Sequence, residues 1–286
     1  MLLPHLKKLI VLLLTDKHTK RFALFYLLCF LINFVWFWFN NLLLSNIQPV
    51  YFNNKLDFTR NILMLSNIQH WLLKEQWLRI CFDLLYLVLP VLLTILFIKK
   101  SRGSRLVAYV TCVFVIIYAV FFSSFTYISI EGYISWILFP VILSCITIQG
   151  FYYNLHAVRI IFILMFVSSA ILKINSGGVF NSDQMAGILI TQHNNYLVSN
   201  ADDSFTKFIY FLVQHKALAQ CLYLLATIAE LSFAIGLFTR KFDRLLIIVF
   251  CSFLVFDYFL MQINYFTWFV FMGCFYFSRC EMQGEG

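Results

Sequence analysis

Three ionisable side chains lie in or at the edge of apolar runs, and each could carry acid–base chemistry. Lys173 ends an apolar helix in SSAILKINSGG, just before a glycine pair that opens a long polar loop. Glu230 lies well inside YLLATIAELSFAIGLFTRK, and Asp257 about one turn from the end of FLVFDYFLMQIN. A charge at the centre of a membrane helix costs about 2.5–3.5 kcal/mol on insertion scales, so each needs a partner or a task. A lysine drawn out of water is more easily neutral, and a neutral amine is a general base or nucleophile. The plainer alternative is a lysine whose stem follows the apolar surface while its ammonium reaches the headgroups. Glu230 either handles a proton, orients a polar ligand, or pairs structurally with Arg, Lys, Ser or Thr of a neighbouring helix. Asp257 either joins a polar pocket or reaches the interface from its helix end, and so does Asp83 near the outer end of another run.

The rest of the chain must position these groups inside a bilayer. Of 286 residues, 62% are hydrophobic and only 12% charged, against about 25% charged in a soluble domain. Apolar runs of about 17–25 residues recur along the length. The fold class that follows is all-α: a polytopic integral membrane helical bundle, read as one domain over residues 1–286. Eight spans can be drawn: Phe22 to Leu44, Ile80 to Ile98, Leu106 to Ile130, Ile134 to Ile148, Ala157 to Ile174, Ala217 to Phe238, Leu245 to Leu260, and Tyr265 to Phe277. The fourth and eighth are short, and only Met261 to Asn264 separate the last two, which form a tight hairpin.

The net charge of +8 is a topology signal, not a nucleic-acid one. Basic residues cluster in short loops: Lys7 to Arg21, Lys99 to Arg105, Arg159, Arg240 to Arg244, and Arg279. The positive-inside rule then puts both termini in the cytoplasm of a cell whose inner membrane holds the bundle. Residues 1–21 read as an amphipathic cytoplasmic lead-in. Their lysine-then-apolar order is like that of a signal peptide, but a longer apolar run follows with no small-residue cleavage site.

Two long loops, 45–79 and 175–214, are expected to face outward. In the first, Ile62, Leu65, Ile68 and Leu72 stand at helical spacing beside Trp71 and Trp77, which suits a helix lying on the outer leaflet. The second holds two candidate amphipathic helices, Gln184 to His193 and Phe205 to Gln214, with Asp202 and Asp203 marking a helix start between them. Loops this long in a compact membrane domain tend to be functional.

Other chemistries find little support. Eight cysteines form no CxxC, and nearly all lie inside apolar runs, which suggests inert buried thiols. The six histidines fall mostly in loops with no HxxxH or HExxH pair, so no metal site is expected. Phosphate loops, Walker sequences and GxSxG are absent. The 34 phenylalanines read as lipid-facing filler.

Two segments resemble a known family. SSAILKINSGG is similar to the helix-ending lysine stretch of the horizontally transferred transmembrane (HTTM) domain of vitamin K-dependent gamma-carboxylases. AELSFAIGLFTRKFDRLLIIVFCSFLVFDYFLMQINYFTWFVFMGCFYF resembles that domain's C-terminal part: a glutamate helix, a basic turn, a helix carrying an FH pair, and an aromatic last helix. Together they cover roughly Ala157 to Phe277. The resemblance implies that Lys173 is a base that deprotonates a hydroquinone and that Glu230 is the family glutamate. The FH pair falls on Phe256 and Asp257, so its histidine is replaced by an acid. The family's tryptophan and glycine beyond the lysine are not at their usual distance; the resemblance leaves Gly187 as the glycine's remnant, after a longer intervening segment. A luminal propeptide-binding domain is not expected after the last span. That architecture is closest to bacterial multi-pass proteins that mature antimicrobial peptides in sporulation-delaying toxin operons.

The expectation is therefore an outward-facing enzyme that modifies or matures a secreted peptide. Lys173 would be its base, Glu230 and Asp257 would shape the pocket, and residues 175–214 would form a lid. A quinone or hydroquinone is the implied cofactor, and the bilayer, a secreted peptide and a small partner subunit the implied partners. Two alternatives stand beside it: a non-catalytic binding or immunity-like subunit, and a DoxX-like subunit of a quinone-linked redox complex, whose relatives share a GLFTR helix end.

Overall fold

The computed structural model describes residues 3–47, 65, 67–125, 130–145 and 147–278, with the backbone alone for 3–16, 69, 130 and 131. Among these residues the secondary structure is helical, without strands. In chain order the helices are α1 (Leu3–Phe39), α2 (Ile68–Lys74), α3 (Gln76–Ile98), α4 (Ser104–Phe125), α5 (Ile134–Leu143) and α6 (Ile148–Asn175). They continue with α7 (Gln184–Ser199), α8 (Ser204–Gln214), α9 (Lys216–Ser232), α10 (Asp243–Phe256) and α11 (Met272–Phe277). A π-helical turn, Asp257–Met261, follows α10, and a 3₁₀ segment, Phe266–Phe271, precedes α11.

Among the described residues six helical segments are long and apolar enough to cross a membrane: Lys17–Phe39, Gln76–Ile98, Ser104–Phe125, Ile148–Asn175, Lys216–Phe238 and Asp243–Met261. This is an all-α membrane protein. The fourth and eighth expected spans are the short apolar helices Ile134–Leu143 and Phe266–Phe277. At about 1.5 Å per residue the first of these is about 15 Å long, half of a hydrocarbon core.

The helices gather into two compact units, one of residues 1–158 with 266–286, the other of residues 159–265. The first has an aromatic core. Phe22, Tyr26 and Phe30 recur down one face of α1 and are fully buried. Tyr26 stacks on Phe139, and Phe30 meets Tyr86 and Trp136 edge-on. Asp83 is a cap, not an interfacial charge. Its buried carboxylate accepts from the backbone N–H of Leu44 and Ser45 (3.2 and 2.9 Å) and from the Tyr118 hydroxyl (2.7 Å), where the chain leaves α1. Two short elements are tied together by the Ser135 hydroxyl, which donates to Thr267 O at 2.7 Å.

The second unit carries the sequence's candidate residues. Its deep core is phenylalanine: Phe162, Phe166, Phe233 and Phe250 are all but sealed from solvent, with Phe166 and Phe233 ring centroids 4.5 Å apart. The filler reading fails for these rings. Gly236 lies where helices approach closely, since a Cβ there would sit 2.8 Å from Ile163 Cδ1. Residues 175–214 are mostly helical, and α7 and α8 pack with α9 around Met185, Leu189, Ile209, Leu212 and Tyr223.

Several boundaries shift. The lead-in is continuous with the first span as α1. α3 begins at Gln76 and α6 at Ile148, earlier than hydropathy alone places them. Of the helix expected on the outer leaflet, α2 is described, with Trp71 exposed on it and Trp77 exposed on α3; residues 48–64, with Ile62, lie outside the described residues, as do Arg279 and Cys280. His5, His18, His70, His156 and His193 fall in helices rather than loops. Among the described cysteines only Cys112 and Cys274 are buried, while Cys81 and Cys221 are exposed on apolar helices.

The side on which α6 ends depends on α5, because a crossing at α5 reverses the direction of everything after it. With α5 crossing, Ser176 faces outward. A Ser176→Cys protein in intact cells is then modified by a membrane-impermeant maleimide above the parent's background. Modification only after the inner face is opened would make α5 re-entrant and reverse the assignment.

Candidate functional site

Helical spacing builds the site. Ser169 and Lys173 lie one turn apart on α6, and Tyr223, Thr227 and Glu230 share a face of α9 at spacings of four and three. Lys173 Nζ donates to Glu230 Oε1 at 2.8 Å, and the Ser169 hydroxyl donates to the same oxygen at 3.2 Å. The ammonium also lies 5.5 Å from the centroid of the Tyr223 ring, within cation–π range. The structure therefore does not leave Lys173 reaching for headgroups. Nor is its amine free, since it is bound to a carboxylate.

Glu230 is nearly sealed and Lys173 is not: their side chains are 5% and 26% exposed. The pair thus opens to the surface on the lysine side. Glu230 Oε2 is buried without a hydrogen-bond partner. A buried carboxylate oxygen left unpartnered costs on the order of 1–3 kcal/mol, so it is a ready acceptor for a donor brought by a ligand or water. The phenylalanine core lies around Phe233, one turn beyond Glu230 on the same chain. This apolar surround strengthens the pair's electrostatics.

Asp257, on the turn after α10, lies within electrostatic reach of the pair. The charges of Lys173 and Glu230 both act on its half-buried carboxyl. It opens the π-helical turn, a feature that occurs often at functional sites because it re-aims side chains. α7 holds this turn. His193 Nε2–H donates to Leu260 O at 2.9 Å, and the Gln192 side-chain amide donates to Met261 O at 3.4 Å. These carbonyls end a helix and would otherwise lack partners.

The segment after α6 folds back over Tyr223. Gly177 takes φ +74°, which suits glycine, and a Cβ on Gly178 would lie 3.0 Å from the Tyr223 hydroxyl. The Gln220 amide donates to Val179 O at 2.5 Å. A second pair lies in the same unit: Arg159 grips Asp243 with two contacts, Nε to Oδ2 at 3.1 Å and a terminal nitrogen to Oδ1 at 2.5 Å, both side chains buried.

Lys173 and Glu230, separate in sequence, are thus in contact, and Asp257 lies within reach of their charges. Sequence reasoning missed Ser169 and Tyr223, although their spacing from Lys173 and Glu230 on a helical wheel points to both. It also missed Asp243, a lone acid inside a basic turn, and His193, which no local pattern marks. Among the described residues no three His, Cys, Asp or Glu converge to hold a metal. The set can transfer a proton between Lys173 and Glu230 and accept a hydrogen bond at Oε2. The chain matches no family model, no curated protein and no solved structure. Fold and composition define its class as a polytopic helical membrane protein.

Asp203 starts α8 as expected. It accepts from Phe205 N at 3.2 Å and from the Tyr196 hydroxyl at 2.8 Å. The Tyr196 hydrogen bond holds the Asp203 carboxyl below its ordinary range. A depressed acid contributes stability above its unfolded pKa of about 3.9, lost as pH falls through the lower folded value. Hydrogen exchange at the first amides of α8 should therefore stay slow into the acid range. Tyr196→Phe should move the loss of protection to higher pH; an unchanged midpoint would sink this cap.

Proposed function

We propose that this chain is an outward-facing membrane enzyme of the HTTM kind that modifies or matures a secreted peptide, with Lys173 as its base. The observation that carries the reading is the partly exposed Lys173–Glu230 pair, which leaves the second Glu230 oxygen buried and unpartnered. In this reading Lys173 exchanges a proton with Glu230, Ser169 fixes the shared oxygen, and Asp257 shapes the polar edge beside them. Tyr223 keeps the ammonium on the α9 side.

A lipid hydroquinone fits these residues in one respect: Glu230 Oε2 is a buried acceptor without a donor, and a phenolic hydroxyl is a donor. Held by Glu230 and Lys173, it would supply an oxidisable ring. A small partner subunit and a peptide are the remaining expected partners.

The test is Lys173→Ala, in a background shown to insert and accumulate like the parent. Mass spectrometry of the peptides released by expressing cells should show processing reduced by about 10²–10⁴-fold, the usual contribution of a positioned base. The charge-swapped double variant, Lys173→Glu with Glu230→Lys, should restore stability but not processing. Parental processing by Lys173→Ala would defeat the catalytic reading and leave the pair as a structural or binding element.

A further inference from the structure

α7 carries a groove that the Lys173 site does not use. Gln184, Gly187, Ile188, Thr191 and Gln192 line it, with Asn181 and Asp183 at one end, and its volume is 410 Å³. That lies within the range of about 300–1,000 Å³ typical of ligand sites.

The chemistry of the lining points to one kind of ligand. Asn181, Gln184 and Gln192 carry carboxamides, each with both a donor and an acceptor, the same pair that a peptide unit presents. Thr191 donates to Gly187 O at 2.8 Å and Asn181 Oδ1 accepts from Asp183 N at 3.0 Å, so the amide N–H groups of Asn181 and Gln184 remain for a ligand carbonyl. The floor is Gly187, where an added Cβ would meet nothing within 4 Å. A chain can approach there down to the helix backbone.

Dimensions agree. From Gln184 to Gln192 the helix rises about 12 Å at 1.5 Å per residue, which about four residues of extended chain cover. The groove also leads somewhere. Gln192, at its far end, donates to Met261 O at 3.4 Å, the last residue of the π-helical turn that begins at Asp257. The next residue, His193, holds Leu260 O of the same turn.

We propose that this groove binds a peptide in extended conformation through its backbone amides, and that Gln192 and His193 join the bound chain to the turn carrying Asp257. The proposal rests on the peptide-maturation reading and names how its substrate is held.

The probe is an acetylated, amidated pentapeptide of alanine and valine with a central benzoylphenylalanine, beside a twin whose backbone nitrogens are methylated. Each is photocrosslinked to the full-length protein in lipid nanodiscs. The unmethylated probe should label α7, and its twin about tenfold less, the loss expected when two backbone hydrogen bonds are removed. Gly187→Trp fills the groove and should reduce labelling by a similar factor, whereas Gly187→Ala should label like the parent. Lys173→Ala should also label normally, because binding and conversion are separate steps. A groove that labels while Lys173→Ala still processes peptide would overturn only the catalytic role. Equal labelling by the methylated twin would overturn the groove, since apolar adsorption would then explain it. Unchanged labelling in Gly187→Trp would overturn it as well, and the methylation comparison still decides if that variant does not fold.

Discussion

Hydrocarbon offers no hydrogen bond and almost no screening, so a charge inside a membrane bundle must find its partner within the protein. The buried acids of this chain show how. Asp83 holds two backbone N–H groups and a tyrosine hydroxyl. Asp243 is held by Arg159 with two contacts, both side chains enclosed. Glu230 has Lys173 and Ser169 on one oxygen and nothing on the other, and its cation is partly exposed. The first two arrangements are closed and structural. The third is open, and the proposed function begins from that difference.

The second unit is organised around the open pair. α6 and α9 supply its members, phenylalanines dry the region around Phe233, and α10 ends in a π-helical turn that brings up Asp257. The turn leaves carbonyls that a regular helix end would leave to water. α7 takes them through His193 and Gln192. The segment 175–214 is therefore joined to the turn that begins at Asp257.

Much of this was legible in the sequence because membrane physics is severe. A lysine at a helix end and a glutamate amid leucines stand out wherever charge is costly, and Lys173, Glu230 and Asp257 could be singled out without coordinates. Asp203 was legible as a helix start because acids cap helices. What hydropathy could not give was the true length of an apolar helix. Ile134–Leu143 is as apolar as its neighbours, and only its length of about 15 Å distinguishes it. Asp243 was hidden because it sits among basic loop residues, where a charge has no evident cost. Asp83 read as an interfacial charge because its partners, Leu44, Ser45 and Tyr118, are far away in sequence. His193 depends on a turn that no local pattern announces.

The site depends on Lys173 and Glu230 forming one interacting unit within the bundle. A double-mutant cycle measures this directly, with Lys173→Met, Glu230→Gln and the combined variant compared with the parent by reversible unfolding in mixed micelles. Coupled neighbours show interaction energies of about 0.5–3 kcal/mol, and the partly buried contact at 2.8 Å predicts a value in the upper half of that range. Additive single effects, with no coupling, would contradict the pair and the site built on it.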